Sequence, residues 1–415
     1  MPTSNRRLFS KWLAAAPVFG SIAWHELSAK LSAATGASSN VYQRIGVRPL
    51  INARGTWTYL SGSLMLPEVR QAMDAASRQF VDMFELQAAV GKRLAALSGA
   101  ESGMITSGSA GAMAAATAAC IAGADPRKIW QLPDTTGMKN EVVMLGGRLA
   151  FDSAIRLAGA KLVVANTLAD LPSAINSQTA MVYTTWRDDN LPKALAITKQ
   201  ANVPLLLDDA AGIPPFENLS RYATLGVDLY CFSGGKGMRG PQCAGVLLGR
   251  KHLIDAALKN YSPNEGAICR AMKVGKEEII GMLTAIETWK SFDLTTLNRE
   301  WNARVARIAK LVETVPGVST KIYVPEDGNS YPTLRVNWDE HAFGLTVAQC
   351  DEQLRAGEPR IEVLTNNNPS MVSGVEGSDN SPNRLEIVSM TLQDGEDLII
   401  GKRLREILST ARAKS

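Results

Sequence analysis

Three short stretches of this chain carry residue types that could do chemistry. Lys236 lies in Phe232-Ser-Gly-Gly-Lys-Gly-Met-Arg-Gly-Pro-Gln242, with Gly234, Gly235 and Gly237 around it. A lysine whose surroundings lower its pKa can capture a carbonyl as a Schiff base, and flanking glycines allow a bulky group to come close. Taken alone, the turn reads as a solvated loop. It is not a P-loop, because the Gly-x-x-x-x-Gly-Lys-Ser/Thr spacing is absent. The second stretch is Leu205-Leu-Leu-Asp-Asp-Ala-Ala-Gly-Ile-Pro-Pro215. A carboxylate ending a buried apolar strand is costly without a partner, so Asp208 suits a cationic ring nitrogen. Asp209 alternates to the other face, and Ala210 then lies against the ring. Helix capping by the aspartate is the alternative. The third stretch, Ile105-Thr-Ser-Gly-Ser-Ala-Gly-Ala-Met113, opens an alanine-rich helix. Its free N–H groups and dipole favour an anion, with Ser107, Gly108 and Ser109 around a phosphate; simple N-capping by Ser107 or Ser109 is the alternative.

These stretches need a scaffold, and the hydropathy pattern supplies one. Apolar runs rich in β-branched residues recur at Glu141–Leu145, Lys161–Ala165, Ala180–Thr184, Val203–Leu207, Val227–Phe232 and Ala244–Leu248. Helical patterns at Ala110–Ile121, Asp152–Ala158, Leu191–Gln200 and Leu219–Leu225 separate most of them. The alternation predicts an α/β domain around a mostly parallel sheet buried on both faces. Strand ends in such sheets face the ligand crevice, which is where Asp208 and Lys236 fall. A long helical run, Lys276–Val315 with a break near Asp293, leads into a small α+β C-terminal domain. Its strands are expected at Ser319–Val324, Thr333–Trp338, Arg360–Leu364 and Arg384–Met390, its helices at Thr346–Leu354 and Glu396–Leu408. The stretch Asn366–Asn383, rich in Asn, Ser and Gly, reads as a loop. Residues 40–290 are assigned to an N-terminal arm and large domain, and 291–415 to the small domain.

The order of phosphate turn, acidic strand end and lysine makes the resemblance specific. Ile51-Asn-Ala-Arg-Gly-Thr56, Phe84-Glu-Leu-Gln-Ala-Ala-Val-Gly91, Asp208–Pro215, Phe232–Gln242 and Met272-Lys-Val-Gly-Lys-Glu-Glu278 resemble the L-seryl-tRNA selenium transferase-like family. That family includes selenocysteine synthase and D-glucosaminate-6-phosphate ammonia-lyase-type proteins. It belongs to the fold-type-I, aspartate-aminotransferase-like superfamily that uses pyridoxal 5′-phosphate (PLP). The resemblance covers roughly residues 41–410 and implies a homodimer with the active site at its interface. It makes Lys236 the Schiff-base lysine and Asp208 the partner of the pyridinium nitrogen. Ser107, Gly108, Ser109 and Ser233 become phosphate ligands, and Lys273 and Lys276 reach the site from the neighbouring subunit or stay exposed. Arg360 takes the place of a substrate-carboxylate clamp, a task suited to a bidentate guanidinium, and Arg148 is a second substrate residue. Where lyase-type members carry His-Arg followed by Tyr-Asp, this chain has Gly147-Arg148 and Phe151-Asp152.

Composition narrows the classes. The net charge of +4 over 415 residues lacks the concentrated basic stripe that nucleic-acid binding needs, so tRNA is not an expected partner. Hydrophobic residues at 46% and charged ones at 20% are ordinary for a soluble enzyme. His25, His252 and His341 are scattered, as are Cys120, Cys231, Cys243, Cys269 and Cys350; no metal site is expected, and the thiols read as free and buried. Residues 1–39 form a separate segment: Asn5-Arg-Arg-Leu-Phe-Ser-Lys11, an uncharged run Trp12–Trp24, then small residues. The run is short of the roughly 20 residues that cross a bilayer. The layout resembles a twin-arginine export signal, which predicts a periplasmic enzyme without stable membrane insertion; a helix packing on a partner subunit, with a cytoplasmic protein, is the alternative.

The functional expectation is therefore an enzyme that takes a small amino-acid or amino-sugar-acid substrate, removes its Cα proton through Lys236, and eliminates a β substituent as a lyase or related transferase. Aminotransferase and racemase chemistry share the first step. A catalytically idle PLP-fold binding protein and a nucleotide-binding protein are the readings from other classes.

Overall fold

A computed structural model describes residues 40–326, 328–366 and 384–414. The export-signal segment and all but Asn366 of the expected loop lie outside the described residues. The chain divides into two units, up to Leu50 and from Ile51 onward. In the first, Gln43–Ile45 form a 3-10 turn closed by Gly46 at φ 76°.

The described residues include twelve strands: β1 Leu50–Ala53, β2 Ser102–Thr106, β3 Glu141–Leu145, β4 Lys161–Ala165, β5 Thr179–Thr184, β6 Leu205–Asp208, β7 Leu229–Ser233, β8 Gly245–Gly249, β9 Ser319–Tyr323, β10 Thr333–Asn337, β11 Arg360–Val363 and β12 Leu385–Val388. Seven of them form one sheet in the order β2-β8-β7-β6-β5-β3-β4. From β7 through β4 every pairing is parallel. Strand β8 is antiparallel to both β7 and β2, so it alone in this sheet runs against the rest. The expected α/β fold with a mostly parallel sheet is the one observed. Strands β5, β6 and β8 are buried along their whole length, because helices cover both faces and leave no solvent side to alternate toward.

The register sets what shares an edge. Thr106 and Ser233 both pair with Gly245, and Asp208 pairs with Cys231. The ends of β2, β6 and β7 therefore open onto one side of the sheet.

Strand β2 was not among the strands expected from sequence, since Ser-Gly-Met-Ile-Thr is short and has no alternating pattern. It is an edge strand, and the helix Met83–Ser98 closes that edge. Gln87, buried in that helix, donates its amide to the Ile105 carbonyl at 2.8 Å and accepts from Ile105 N–H at 3.2 Å. It thus stands in for a missing neighbour strand. A Cβ on Gly91 of the same helix would lie 2.7 Å from the Gly103 carbonyl oxygen, so only glycine lets the helix come this close.

A second core gathers the helices Leu294–Val312, Val347–Ala356 and Glu396–Lys414 against β10, β11 and β12. The helical run breaks where expected: Lys276–Lys290 ends, and Asp293 caps the next helix by accepting from Thr295 N–H. The division at residue 290 is less clean than the sequence pattern implies. Ile51 and Ala53 belong to the second core, with β1 paired to β11. Trp301, Val388 and Met390 belong to the first core.

Candidate active site

Lys236 follows β7 in a turn tied down on all sides. Gly234 N–H donates to the Ala244 carbonyl at 2.8 Å, Gly240 N–H to the Gly234 carbonyl at 2.8 Å, and Ser63 N–H to the Gly235 carbonyl at 2.9 Å. The glycines are needed for closeness more than for freedom, since neither Gly235 nor Gly237 has a positive φ. A Cβ on Gly235 would sit 1.9 Å from Gln242 Oε1, and one on Gly237 would sit 2.1 Å from the Ile213 carbonyl oxygen. The second clash is with backbone of the Asp208–Pro215 segment, so the two sequence stretches are packed together. Lys236 is half-buried. Burial lowers its pKa below the ordinary lysine value, Asp208 opposes that by raising it, and the Arg187 guanidinium lowers it further.

The adjacent carboxylates have separate partners. Asp208, buried at the end of β6, accepts from the Tyr183 hydroxyl at 3.0 Å and from Ala210 N–H at 3.0 Å. Asp209 is buried and accepts from the Tyr222 hydroxyl at 2.6 Å. Its Oδ1 lies 2.6 Å from Arg187 Nε, a charge contact without hydrogen-bond alignment. Burial raises the Asp209 pKa to about 6, with Arg187 and Tyr222 pulling it back down. Both supports, Tyr183 and Arg187, come from β5 and the segment just after it. Ala210 is half-buried, and its carbonyl accepts from Ser233 N–H at 3.1 Å, joining the β6 and β7 ends.

The Ser107–Ser109 turn opens the helix Gly108–Ala122. Ser107 occupies the N-cap position, yet its side chain makes no capping hydrogen bond. Instead Ser107 N–H donates to the buried Tyr261 hydroxyl at 2.6 Å, and that hydroxyl donates to Ser107 Oγ at 3.0 Å. Gly108 has φ 68° with open space where a side chain would stand.

Other residues singled out in the sequence lie in different settings. Arg148 is ion-paired to buried Asp152, which Arg156 also approaches at 3.3 Å. Gly146 and Gly147 just before it have φ of 97° and 99°, a backbone in which histidine at 147 would be strained. Arg360 is half-buried and paired with Glu362, which Arg355 Nε also reaches at 3.1 Å. Lys276 pairs with Glu277, and Lys273 is exposed. Cys243 is exposed, contrary to the expectation of buried thiols. Among the described residues no His, Cys, Asp and Glu cluster could hold a metal, and no helix is long and apolar enough to cross a membrane. Sequence reading missed Tyr183, Arg187, Tyr222 and Tyr261, none of which carries a local motif.

Residues 165–353 match the family model described as Aminotransferase class-V. The chain is 31% identical over 389 residues to D-glucosaminate-6-phosphate ammonia lyase of Salmonella typhimurium (strain 14028s / SGSC 2262), covering 90% of this chain and 99% of that one. It belongs to the PLP-dependent L-seryl-tRNA selenium transferase-like family. A solved structure of D-glucosaminate-6-phosphate ammonia-lyase superposes with a TM-score of 0.75 at 30% identity, covering 90% of this chain and all of that one. A further relative within reach is 5′-C-glycyluridine monooxygenase-decarboxylase of Streptomyces sp, 32% identical over 79% of this chain and 84% of its own. This family member is thus an enzyme with PLP as its cofactor and the fold-type-I architecture. The described residues fit that group. An uncapped helix N-terminus stands beside the open space at Gly108, and a buried carboxylate and a lysine of lowered pKa stand at neighbouring strand ends.

Proposed function

We propose that the chain is a lyase for an amino-acid or amino-sugar-acid type substrate, releasing ammonia or water from the carbon next to Cα. The observation that carries the reading is Lys236, half-buried with a lowered pKa, just beyond the end of β7 and in the field of Asp208, Arg187 and Asp209. Lys236 would attach PLP and Asp208 would hold its ring nitrogen, with Ala210 against the ring. Ser107, Gly108, Ser109 and Ser233 would hold the phosphate. When bound, PLP supplies an electron-accepting ring conjugated to the substrate amine. The chain's own part is to position and to move a proton. Tyr183 and the Ala210 amide hold the Asp208 carboxylate in place. A lysine whose ammonium is disfavoured by burial is better able to take a proton at Nζ, as a general base for Cα requires. Arg148 and Arg360 are the candidates for the substrate's anionic groups. The reading further includes a homodimer, and export through residues 1–39.

The test starts from protein purified with PLP present. It should show a visible absorption band that Lys236→Ala abolishes; no band in the wild type would overturn the assignment of Lys236. The loaded enzyme is then offered amino acids and amino-sugar acids. Release of ammonia and a keto acid without an amino acceptor is the expected outcome. Turnover only with a keto-acid acceptor, or racemisation alone, would count against a lyase.

A further inference from the structure

Ser107 presents a puzzle that the cofactor site alone does not explain. A serine at a helix N-cap ordinarily accepts a hydrogen bond from an N–H of its own first turn. Here it does not, and its Oγ accepts from Tyr261 instead. We propose that Tyr261 is a positioning residue for the cofactor phosphate: its hydroxyl holds Ser107 off its own helix and turns the Ser107 hydroxyl proton toward the anion.

The argument is one of proton direction. The Tyr261 hydroxyl accepts from Ser107 N–H and donates its single proton to Ser107 Oγ. With that lone pair occupied, the Ser107 proton is left to donate elsewhere. The first-turn N–H groups, uncapped by Ser107, stay available for a phosphate. Tyr261 is fully buried, and burial raises its pKa to about 12, which keeps its proton in place at neutral pH.

The surrounding backbone is shaped to admit this contact. A Cβ on Gly111, in the first turn of the same helix, would come 2.6 Å from Ser107 Oγ and 3.0 Å from the Tyr261 oxygen. A Cβ on Gly245 would come 2.4 Å from the Gly108 carbonyl carbon. Glycine at 111 leaves room for the tyrosine to reach the serine, and glycine at 245 lets β8 pass under the turn.

The proposal rests on the PLP reading, and its test separates the two. Apoenzyme is titrated with PLP and, separately, with pyridoxal, which lacks the phosphate, following the visible band. In Tyr261→Phe the PLP dissociation constant should rise about tenfold, the size expected for one hydrogen bond to a charged group, while pyridoxal affinity stays within about twofold. Ser107→Ala should give the same split, and serves if the phenylalanine variant fails to fold. Equal losses for both ligands would mean a merely structural tyrosine and overturn the proposal, as would unchanged PLP affinity in either variant. A wild type that forms no band with either ligand would instead sink the cofactor assignment.

Discussion

Lys236 sits in a field of opposed charges. Burial lowers its pKa, Asp208 and Asp209 raise it, and Arg187 lowers it. For a base with a lowered folded pKa, the unfolded chain binds the extra proton between the folded value and the ordinary 10.5. Stability from this group therefore rises with pH through that window, and its penalty is fully present below it. The same lowering enlarges the free-amine fraction available to capture the PLP aldehyde. Arg187→Met removes a positive neighbour, so the pH of half-maximal PLP attachment in the apoenzyme should move up. Asp209→Asn removes a negative one and leaves Arg187 uncompensated, so the midpoint should move down. Stopped-flow measurement of band formation against pH reads both; parallel shifts, or none, would refute this account. The lysine itself was legible in the sequence. Arg187 was not, because its relation to Asp209 is made by neighbouring strands and by no motif.

At the scale of elements, what matters is how closely the turns approach. The Lys236 turn and the Asp208–Pro215 segment are in contact through Gly237 and Ile213. Gly237→Ala puts a methyl 2.1 Å from a carbonyl oxygen that cannot swing aside. The variant should lose about 1–3 kcal/mol of stability by urea unfolding, the usual cost of overpacking, and hold PLP weakly. Full stability together with normal PLP binding would show that the two turns are not coupled. Strands β3 and β4 were read from sequence at their observed bounds, because continuous β-branched runs are a local signal. Strand β2 was missed for the converse reason: Gly103 weakens its pattern, and its outer edge is completed by Gln87 from a helix. The motif Phe84–Gly91 carries the family resemblance in sequence, and its physical purpose lies in tertiary contacts, Gln87 with Ile105 and Gly91 with Gly103.

For the whole molecule, the predictions concern assembly and address. Phe80, Val81 and Phe84 are exposed around the start of one helix, a costly surface for a monomer to leave in water. The full chain should sediment at about twice its 44.6 kDa mass, and Phe80→Asp/Phe84→Asp should shift it toward a single chain; a monomeric wild type would end the dimer reading. For the address, a reporter fused after residue 39 should reach the periplasm, and Arg6→Lys with Arg7→Lys should keep it inside; export indifferent to that change would exclude the twin-arginine route.

The sequence by itself determined the glycine-flanked lysine turn, the acidic strand end, the small-residue turn and the alternation that makes an α/β sheet. Each of these is a local property, readable from residue type, hydropathy period and order along the chain. Tertiary structure alone decided the partners: Tyr183 on Asp208, Arg187 and Tyr222 on Asp209, and Tyr261 on Ser107. These pairs join distant parts of the chain through strand order and register. The sheet order, with β8 reversed between β2 and β7, is what brings the Ser107 turn to the side of the sheet where Asp208 ends β6 and the Lys236 turn follows β7. Periodicity within one segment carries no record of which segment will lie beside it.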